Sequence, residues 1–316
     1  MKTLVTSSIK KAAEFIKKGE IVAFPTETVY GLGANVYDDE AIKKIFIAKK
    51  RPTDNPLIVH ISNVNQIESL VRKMNKCAKT IIENFFPGPI TIVLEKNDAI
   101  SELVSGGLNT IAIRMPSLEL TRKFIDECGV PIAAPSANLS GSPSPTSWKH
   151  VYNDLKRRIP CILKGPNCEV GIESTVVDCT GNKPVILRPG IISIEDLQKV
   201  FPEVKVYKPK NVKNPKSPGM KYKHYAPKAK VILINSEEDL EKISYDKNKS
   251  AFIGLMKIKG LKKIKRVNDL RDYARNIFDF FRKCDEEKIK VIFCQSVPES
   301  GLGLAIMNRL KKAAHS

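Results

Sequence analysis

The residues best suited to chemistry fall in a few short runs. Phe24-Pro-Thr-Glu-Thr-Val-Tyr-Gly-Leu-Gly33 sets hydroxyls, a carboxylate, a phenol and two glycines at the end of an expected strand. Strand ends are where α/β proteins commonly place ligands, although the same residues also make ordinary turns. Lys49-Lys-Arg-Pro-Thr-Asp-Asn-Pro56 brings Lys49, Arg51 and Asn55 together. Its cations suit either a helix C-terminus or phosphate oxygens, with Arg51 able to make bidentate contacts. Thr110, Ala112 and Arg114 share one face of the run Thr110-Ile-Ala-Ile-Arg-Met-Pro116. An arginine among apolar neighbours needs an anion, because burying it unpaired is costly. That anion is a structural carboxylate or a ligand's.

Two further runs supply hydroxyls and cations. Ala134-Pro-Ser-Ala-Asn-Leu-Ser-Gly-Ser-Pro-Ser144 carries Ser136, Asn138 and Ser144, side chains that donate to phosphate oxygens as readily as they make turns. Ser174-Thr-Val-Val-Asp178 and Leu187-Arg-Pro-Gly190 add Ser174 and Arg188 at strand ends. Together these runs describe a site of hydroxyls and arginines. They contain no cysteine nucleophile and no Ser-His-Asp set. Seven cysteines without a Cys-x-x-Cys pair, and only four histidines, give no metal cage. Gly31-Leu-Gly33 and Gly301-Leu-Gly303 start like dinucleotide fingerprints but lack the third glycine, and there is no Walker A run. Any nucleotide is bound by another device.

The elements that must position these runs alternate between helix and strand. Ser7 and Ser8 open a helix through Lys18 that Gly19 ends, and Glu20 to Phe24 is a strand. Asp38 and Asp39 open a second helix that Pro52 stops. Leu57–Ile61, Ile90–Leu94, Thr110–Met115, Pro131–Ala134, Ser174–Asp178 and Pro184–Leu187 read as strands, and Leu118–Cys128 as a helix. Residues 1–204 therefore form an α/β domain on a twisted, mixed sheet. Residues 205–228, rich in lysine and proline, read as a linker whose Tyr222 and Tyr225 imply that it docks on something. Residues 229–316 restart the alternation as a small doubly wound domain. Its strands are Lys230–Ile234, Ala251–Leu255 and Val291–Cys294, with helices from Ser236 and after Gly303. Between them Leu270–Lys283 is a helix with a stripe of Tyr273, Ala274, Ile277, Phe280 and Phe281.

Charge and hydropathy narrow the class. The net charge of +19 divides into +4 over 1–204, +7 over 205–226 and +8 over 227–316, so much of the excess lies in the linker and second domain. A basic surface favours phosphate-bearing partners, ATP or RNA, or simply keeps the protein soluble. The N-terminal segment has no apolar run longer than two residues, and no stretch approaches the roughly 18 apolar residues of a membrane span. The expectation is a cytoplasmic protein with reduced thiols and no membrane partner.

Several of these runs, in this order, resemble one family. PTETVYGLG, the lysine-x-arginine pair Lys49 and Arg51, DNPLIVHI, the serine-x-asparagine pair Ser136 and Asn138, ESTVVD, LRPG and the linker SPGMKYKHYAP are similar to the YrdC-type threonylcarbamoyl-AMP synthases in their long two-domain form. The match spans nearly all of residues 1–227, and the C-terminal domain follows by position and pattern. The resemblance implies a YrdC-like sheet domain, a basic linker and a smaller Rossmann-like α/β domain. It implies that threonine, bicarbonate and ATP give threonylcarbamoyl-AMP and pyrophosphate with Mg2+, for a downstream tRNA threonylcarbamoyl transferase complex. It implies that Thr28, His60, Arg114 and Ser174 contact threonine, as does the backbone of Ala134, where some relatives carry a hydroxyl residue. It implies that Arg51, Asn55, Thr110, Ser136, Ser144 and Arg188 contact ATP, and that Tyr225 folds back over the nucleotide. Lys49 and Asn138 would lie beside the phosphates, and with Arg51 and Ser136 form the implied catalytic set. Two competing readings are a non-catalytic double-stranded RNA binder, with tight salt-dependent binding, and a nucleotide-dependent regulator sensing a ligand at the loop Gln295–Gly301. The threonine-contacting set favours the enzyme, with weak RNA binding as an accompaniment.

Overall fold

The computed structural model describes residues 1–207 and 225–315. Most of the linker, including Tyr222, lies outside the described residues, whereas Tyr225 lies within them.

The first sheet has eleven strands: β1 (Leu4–Thr6), β2 (Val22–Phe24), β3 (Gly31–Asn35), β4 (Ile58–His60), β5 (Ile90–Glu95), β6 (Thr110–Arg114), β7 (Ile132–Ala134), β8 (Cys161–Leu163), β9 (Thr175–Asp178), β10 (Val185–Arg188) and β11 (Lys205–Val206). Their order is β1-β8-β2-β3-β7-β4-β6-β5-β9-β10-β11, with parallel and antiparallel neighbours mixed. The helices between them are α1 (Ile9–Lys17), α2 (Asp39–Lys49), α3 (Lys76–Phe85), α4 (Glu102–Ser105), α5 (Glu119–Cys128), α6 (Trp148–Leu155) and α7 (Ile194–Gln198). Both sheet faces are covered, as strand alternation requires. Val22, Phe24, Ile132 and Ala134 pack under α1 and α5. Ala23 and Ala133 point the other way, into the core that holds α2 and α3.

The helix punctuation follows local chemistry. Ser8 accepts from the Lys11 amide at the start of α1, and Gly19 at φ +71° ends that turn. Asp38 accepts from the Ala41 amide to open α2. That helix stops at Lys49 because Lys50 turns left-handed, one residue before Arg51 and two before the expected stop at Pro52.

Gly31-Leu-Gly33, read above as a partial fingerprint, is instead strand β3, antiparallel to β2. A Cβ on Gly33 would stand 2.4 Å from Ile132 and 2.7 Å from Phe24, so glycine lets the two strands and an aromatic ring close up. The expected linker begins as strand: Lys205 and Val206 pair with β10.

The second sheet is all parallel, in the order β12 (Lys230–Ile234), β15 (Val291–Gln295), β13 (Ser250–Gly254), β14 (Lys263–Arg266). One face packs on α9 (Leu270–Glu286) and α10 (Leu302–Ala314), the other beneath α8 (Glu238–Glu241). The stripe of α9 is buried as expected, with Phe278 added. The core beneath α9 and α10 also takes in Val29 and Ile172 of the first domain. Arg282 of α9 grips Asp154 of α6 at 2.7 and 2.9 Å across the seam. The two sheets thus share a packed boundary beside the runs that carry chemistry.

Candidate active site

Strand ends and the loops after them enclose a cleft of about 660 Å³. His60 ends β4 and Arg114 ends β6, and parallel pairing makes them register partners. Ala134 ends β7, which runs antiparallel to β4, and exposes only its backbone and methyl there. Thr28 enters from the β2–β3 turn, and Arg188 from the end of β10. The 135–144 loop and Tyr225 close the remaining sides.

One end of the cleft is built to hold a guanidinium still. Arg114 is 3% exposed. Its Nη1 donates to the Thr28 hydroxyl at 2.8 Å, and Nη2 lies 2.6 Å from Glu27 Oε1 as an ion pair. That contact is not in hydrogen-bond geometry, so Arg114 Nε and Nη2 have no hydrogen-bond partner. His60 Nδ1 lies 3.0 Å from the Ile58 carbonyl, which only accepts, so Nδ1 carries the proton. Burial, then the Arg114 charge, push the His60 pKa down to about 3, and the ring is neutral. Ser174 shares a 2.8 Å hydroxyl contact with Thr91. Its carbonyl accepts from Arg188 Nε and Nη2 at 3.1 and 2.9 Å.

The other end is a cationic loop pair. Arg51 lines the cleft and donates to the carbonyls of Asn55 and Pro56 at 3.0 to 3.3 Å, which fixes its guanidinium. Ser136 donates to Asn138 Oδ1 at 2.5 Å, and Asn138 Nδ2 donates to the carbonyls of Leu139 and Ser142. Ser144 donates to Glu173 Oε1 at 2.5 Å. Glu173 is the one carboxylate among the described residues that line the cleft.

Three of the expected site residues do not line the cleft. Lys49 is 1% exposed and does not line the cleft; its ammonium donates to the carbonyls of Ser136 and Asn138 from beneath the loop. Burial foremost, and then Arg51, lower its pKa well below the usual lysine value. Lys49 thereby ties the loop that carries Ser136 and Asn138 to the end of α2. Asn55 is buried outside the cleft wall, with its carbonyl spent on Arg51. Thr110 begins β6 opposite Glu95, at the other end of that strand from Arg114. The structure brings Thr28, Arg51, His60, Arg114, Ala134, Ser136, Asn138, Ser144, Ser174, Arg188 and Tyr225 into one cleft.

Sequence reasoning gave no role to Glu27, Glu173 or Arg309. The first two stand inside motifs already singled out, and a carboxylate next to a future arginine partner is a usable signal. Arg309 lies 136 residues from Glu173, and nothing local marks it.

A cleft of preset arginines and hydroxyls on an α/β sheet, without a nucleophile, defines a protein that binds anionic substrates and acts by positioning. Residues 14–190 match the Sua5/YciO/YrdC family model, described as telomere recombination, and residues 192–315 match the model for the C-terminal domain of threonylcarbamoyl-AMP synthase. The threonylcarbamoyl-AMP synthase of Pyrococcus abyssi is 44% identical over 318 residues, covering 97% of this chain and 94% of the relative. That of Bacillus subtilis is 44% identical over 320 residues, covering 97% and 92%. The crystal structure of P. abyssi Sua5 complexed with L-threonine superposes with a TM-score of 0.92 at 41% identity, over 99% of this chain and 98% of that one. The chain belongs to the threonylcarbamoyl-AMP synthase family, in its two-domain form.

Proposed function

We propose that this enzyme condenses L-threonine, bicarbonate and ATP to threonylcarbamoyl-AMP and pyrophosphate. The observation that carries the reading is Arg114, a buried guanidinium held by Glu27 and Thr28 whose Nε has no hydrogen-bond partner, in a cleft that also holds Arg51 and Arg188. A substrate carboxylate completes the first, and phosphates suit the others. The relative solved with L-threonine supports threonine as the amino acid that binds.

In this reading the threonine carboxylate meets Arg114, with Thr28, neutral His60, Ser174 and the Ala134 backbone around the rest of the molecule. The threonine amine and bicarbonate form a carbamate and release water. A carbamate oxygen then attacks the α-phosphorus of ATP; the new O–P bond forms as the bond to the β-phosphate oxygen breaks, and pyrophosphate leaves. Arg51 and Arg188 stabilise the phosphate charge, and Ser136, Asn138 and Ser144, whose donors are held by Asn138, by loop carbonyls and by Glu173 before ATP arrives, turn those donors to the phosphates when it binds. Lys49 serves by holding the loop that carries Ser136 and Asn138. Catalysis is positioning and charge stabilisation, which need little acid–base chemistry. Tyr225 covers the nucleotide side.

Among the described residues no group of three His, Cys, Asp or Glu side chains is arranged to hold a metal ion. Glu173 is already engaged by Ser144 and Arg309. Magnesium would therefore be held by the triphosphate and not by a protein cage, where it would offset phosphate charge. The product passes to a tRNA threonylcarbamoyl transferase, with RNA contact weak. No helix of the described residues is long and apolar enough to cross a membrane, and all seven cysteines are free and buried. Reduced thiols suit a cytoplasmic setting.

Pyrophosphate release from ATP by the purified chain tests the reaction. Release that requires both threonine and bicarbonate is expected. Release independent of either co-substrate, or none from folded protein with magnesium supplied, removes it.

A further inference from the structure

We infer that the C-terminal domain completes the nucleotide side of the cleft through Arg309, a positioning residue for Glu173 and Ser144. The inference rests on the synthase reading for its substrates, though not for its geometry.

Arg309 lies on α10 and is fully buried, which is rare for arginine without a partner. Its Nε donates to Glu173 Oε2 at 3.0 Å, and Nη2 to the Glu173 carbonyl at 3.2 Å. Its Nη1 donates to the Pro189 carbonyl at 2.6 Å and to Asn308 Oδ1 at 3.2 Å. The guanidinium carbon also lies 5.7 Å from the centre of the Tyr225 ring. One side chain of the second domain thus fixes the residue before Ser174, the residue after Arg188, and Tyr225. Ser174, Arg188 and Tyr225 all line the cleft.

Glu173 explains why such a clamp is needed. A buried carboxylate facing a site for a triphosphate opposes the ligand it helps to shape. At about 6 Å and an effective dielectric near 20, one uncompensated charge weakens anion binding about a hundredfold. Burial acts to raise the Glu173 pKa; Arg309 first, then Arg188 and the Ser144 hydroxyl, outweigh it and hold the carboxyl below its ordinary value. The carboxylate therefore stays ionised, so it can accept from Ser144, and Arg309 cancels its field toward the ligand. Both oxygens are used, one by each domain. The first domain presents Ser144 correctly only while the second supplies the countercharge.

The test uses the full chain and three variants: Arg309→Met, Glu173→Gln and the double variant. ATP affinity is measured by calorimetry with ATP alone, and KM for ATP and for threonine are measured separately by pyrophosphate release. Arg309→Met is expected to weaken ATP by between about tenfold and a hundredfold, since Arg188 still offsets part of the Glu173 charge, while threonine KM stays within about threefold. Adding Glu173→Gln, which removes the stranded charge, is expected to restore ATP affinity to within about tenfold of the parent. If Arg309→Met fails to fold, the double variant decides: near-parental ATP affinity supports the proposal, and a hundredfold loss overturns it. Folded Arg309→Met with parental ATP affinity overturns it, as does a loss shared equally by ATP and threonine that Glu173→Gln does not relieve. Calorimetry reads the result even if the parent chain releases no pyrophosphate, so failure of the synthase reading remains distinguishable.

Discussion

Replacing Arg114 by lysine separates charge from geometry at the carboxylate end. Lysine keeps a cation beside Glu27, so the buried carboxylate is not left alone. That matters because stranding one partner of a buried pair costs about 3–5 kcal/mol. Arg114→Met would incur that penalty, and its activity loss would be confused with unfolding. What lysine cannot reproduce is the planar fork. The Nη1 bond to Thr28 at 2.8 Å is lost, and so is the fixed Nε donor, which has no hydrogen-bond partner in the protein. One hydrogen bond to a charged group contributes about 1.5–3 kcal/mol. At about 1.4 kcal/mol per tenfold, threonine KM should rise between about tenfold and 150-fold. ATP KM should hold within about threefold, because Arg51, Ser144 and Arg188 are untouched. The assay is pyrophosphate release at saturating ATP and bicarbonate with threonine varied, alongside urea unfolding of the same preparation. A folded Arg114→Lys protein with parental threonine KM would refute the assignment. An equal rise for ATP would show that Arg114 shapes the whole cleft and does not select threonine.

Two other perturbations follow from buried groups. Lys49→Met leaves the Ser136 and Asn138 carbonyls without their donor, at about 1–3 kcal/mol each. The buried ammonium no longer has to be desolvated, so a net loss of about 2–4 kcal/mol in urea unfolding is expected, together with a lower kcat; parental stability and turnover would end the anchoring role. The pH dependence comes from His60, whose pKa falls from 6.5 unfolded to about 3 folded. Below pH 6.5 the unfolded chain binds a proton that the folded chain refuses, so stability drops as pH falls from about 6.5 toward 3, by up to roughly 4–5 kcal/mol. His60→Gln should remove that component, and identical urea midpoints against pH in both proteins would contradict it.

Much of the fold was legible because strands and helices announce themselves by period and punctuation. The β-branched runs at β4, β5, β6 and β9 and the apolar stripe of α9 appear where the pattern put them. Some short elements did not announce themselves: β1 and β8, of three residues each, and the five-residue α7 carry too few residues to show a period. The longer α3 and α6 were passed over, and β3 was hidden by its glycines, which are there because Phe24 and Ile132 leave no room for a Cβ. At the site, residue type identified the loops but not the direction each side chain takes. Lys49 and Arg51 are two apart in sequence, yet one points beneath the loop and the other into the cleft, since α2 ends between them at left-handed Lys50. Long-range partners are the least legible of all. Nothing near Glu173 in sequence foretells a guanidinium from the last helix.

The handling of charge ties these observations into one account of the chemistry. A site for a triphosphate and a carboxylate needs several cations in a dry space, where each repels the others. This chain gives its buried cations acceptors of its own before any ligand arrives. Arg114 has Glu27, Arg309 has Glu173, Arg188 has the Ser174 carbonyl, Arg51 has the carbonyls of Asn55 and Pro56, and Lys49 has two loop carbonyls. Carbonyls and paired carboxylates hold the guanidinium planes without fully discharging the cleft. The dipoles are therefore set before charge moves from the carbamate to the departing pyrophosphate, and little reorganisation remains for the transition state. The two buried carboxylate–arginine pairs Glu27 with Arg114 and Glu173 with Arg309 differ in where the cation comes from. The first pair is local to one domain and, in the proposed reading, faces the amino acid. The second joins the domains and, in the same reading, faces the nucleotide. Loss of the second domain should therefore impair ATP more than threonine, an asymmetry that a merely stabilising domain would not produce.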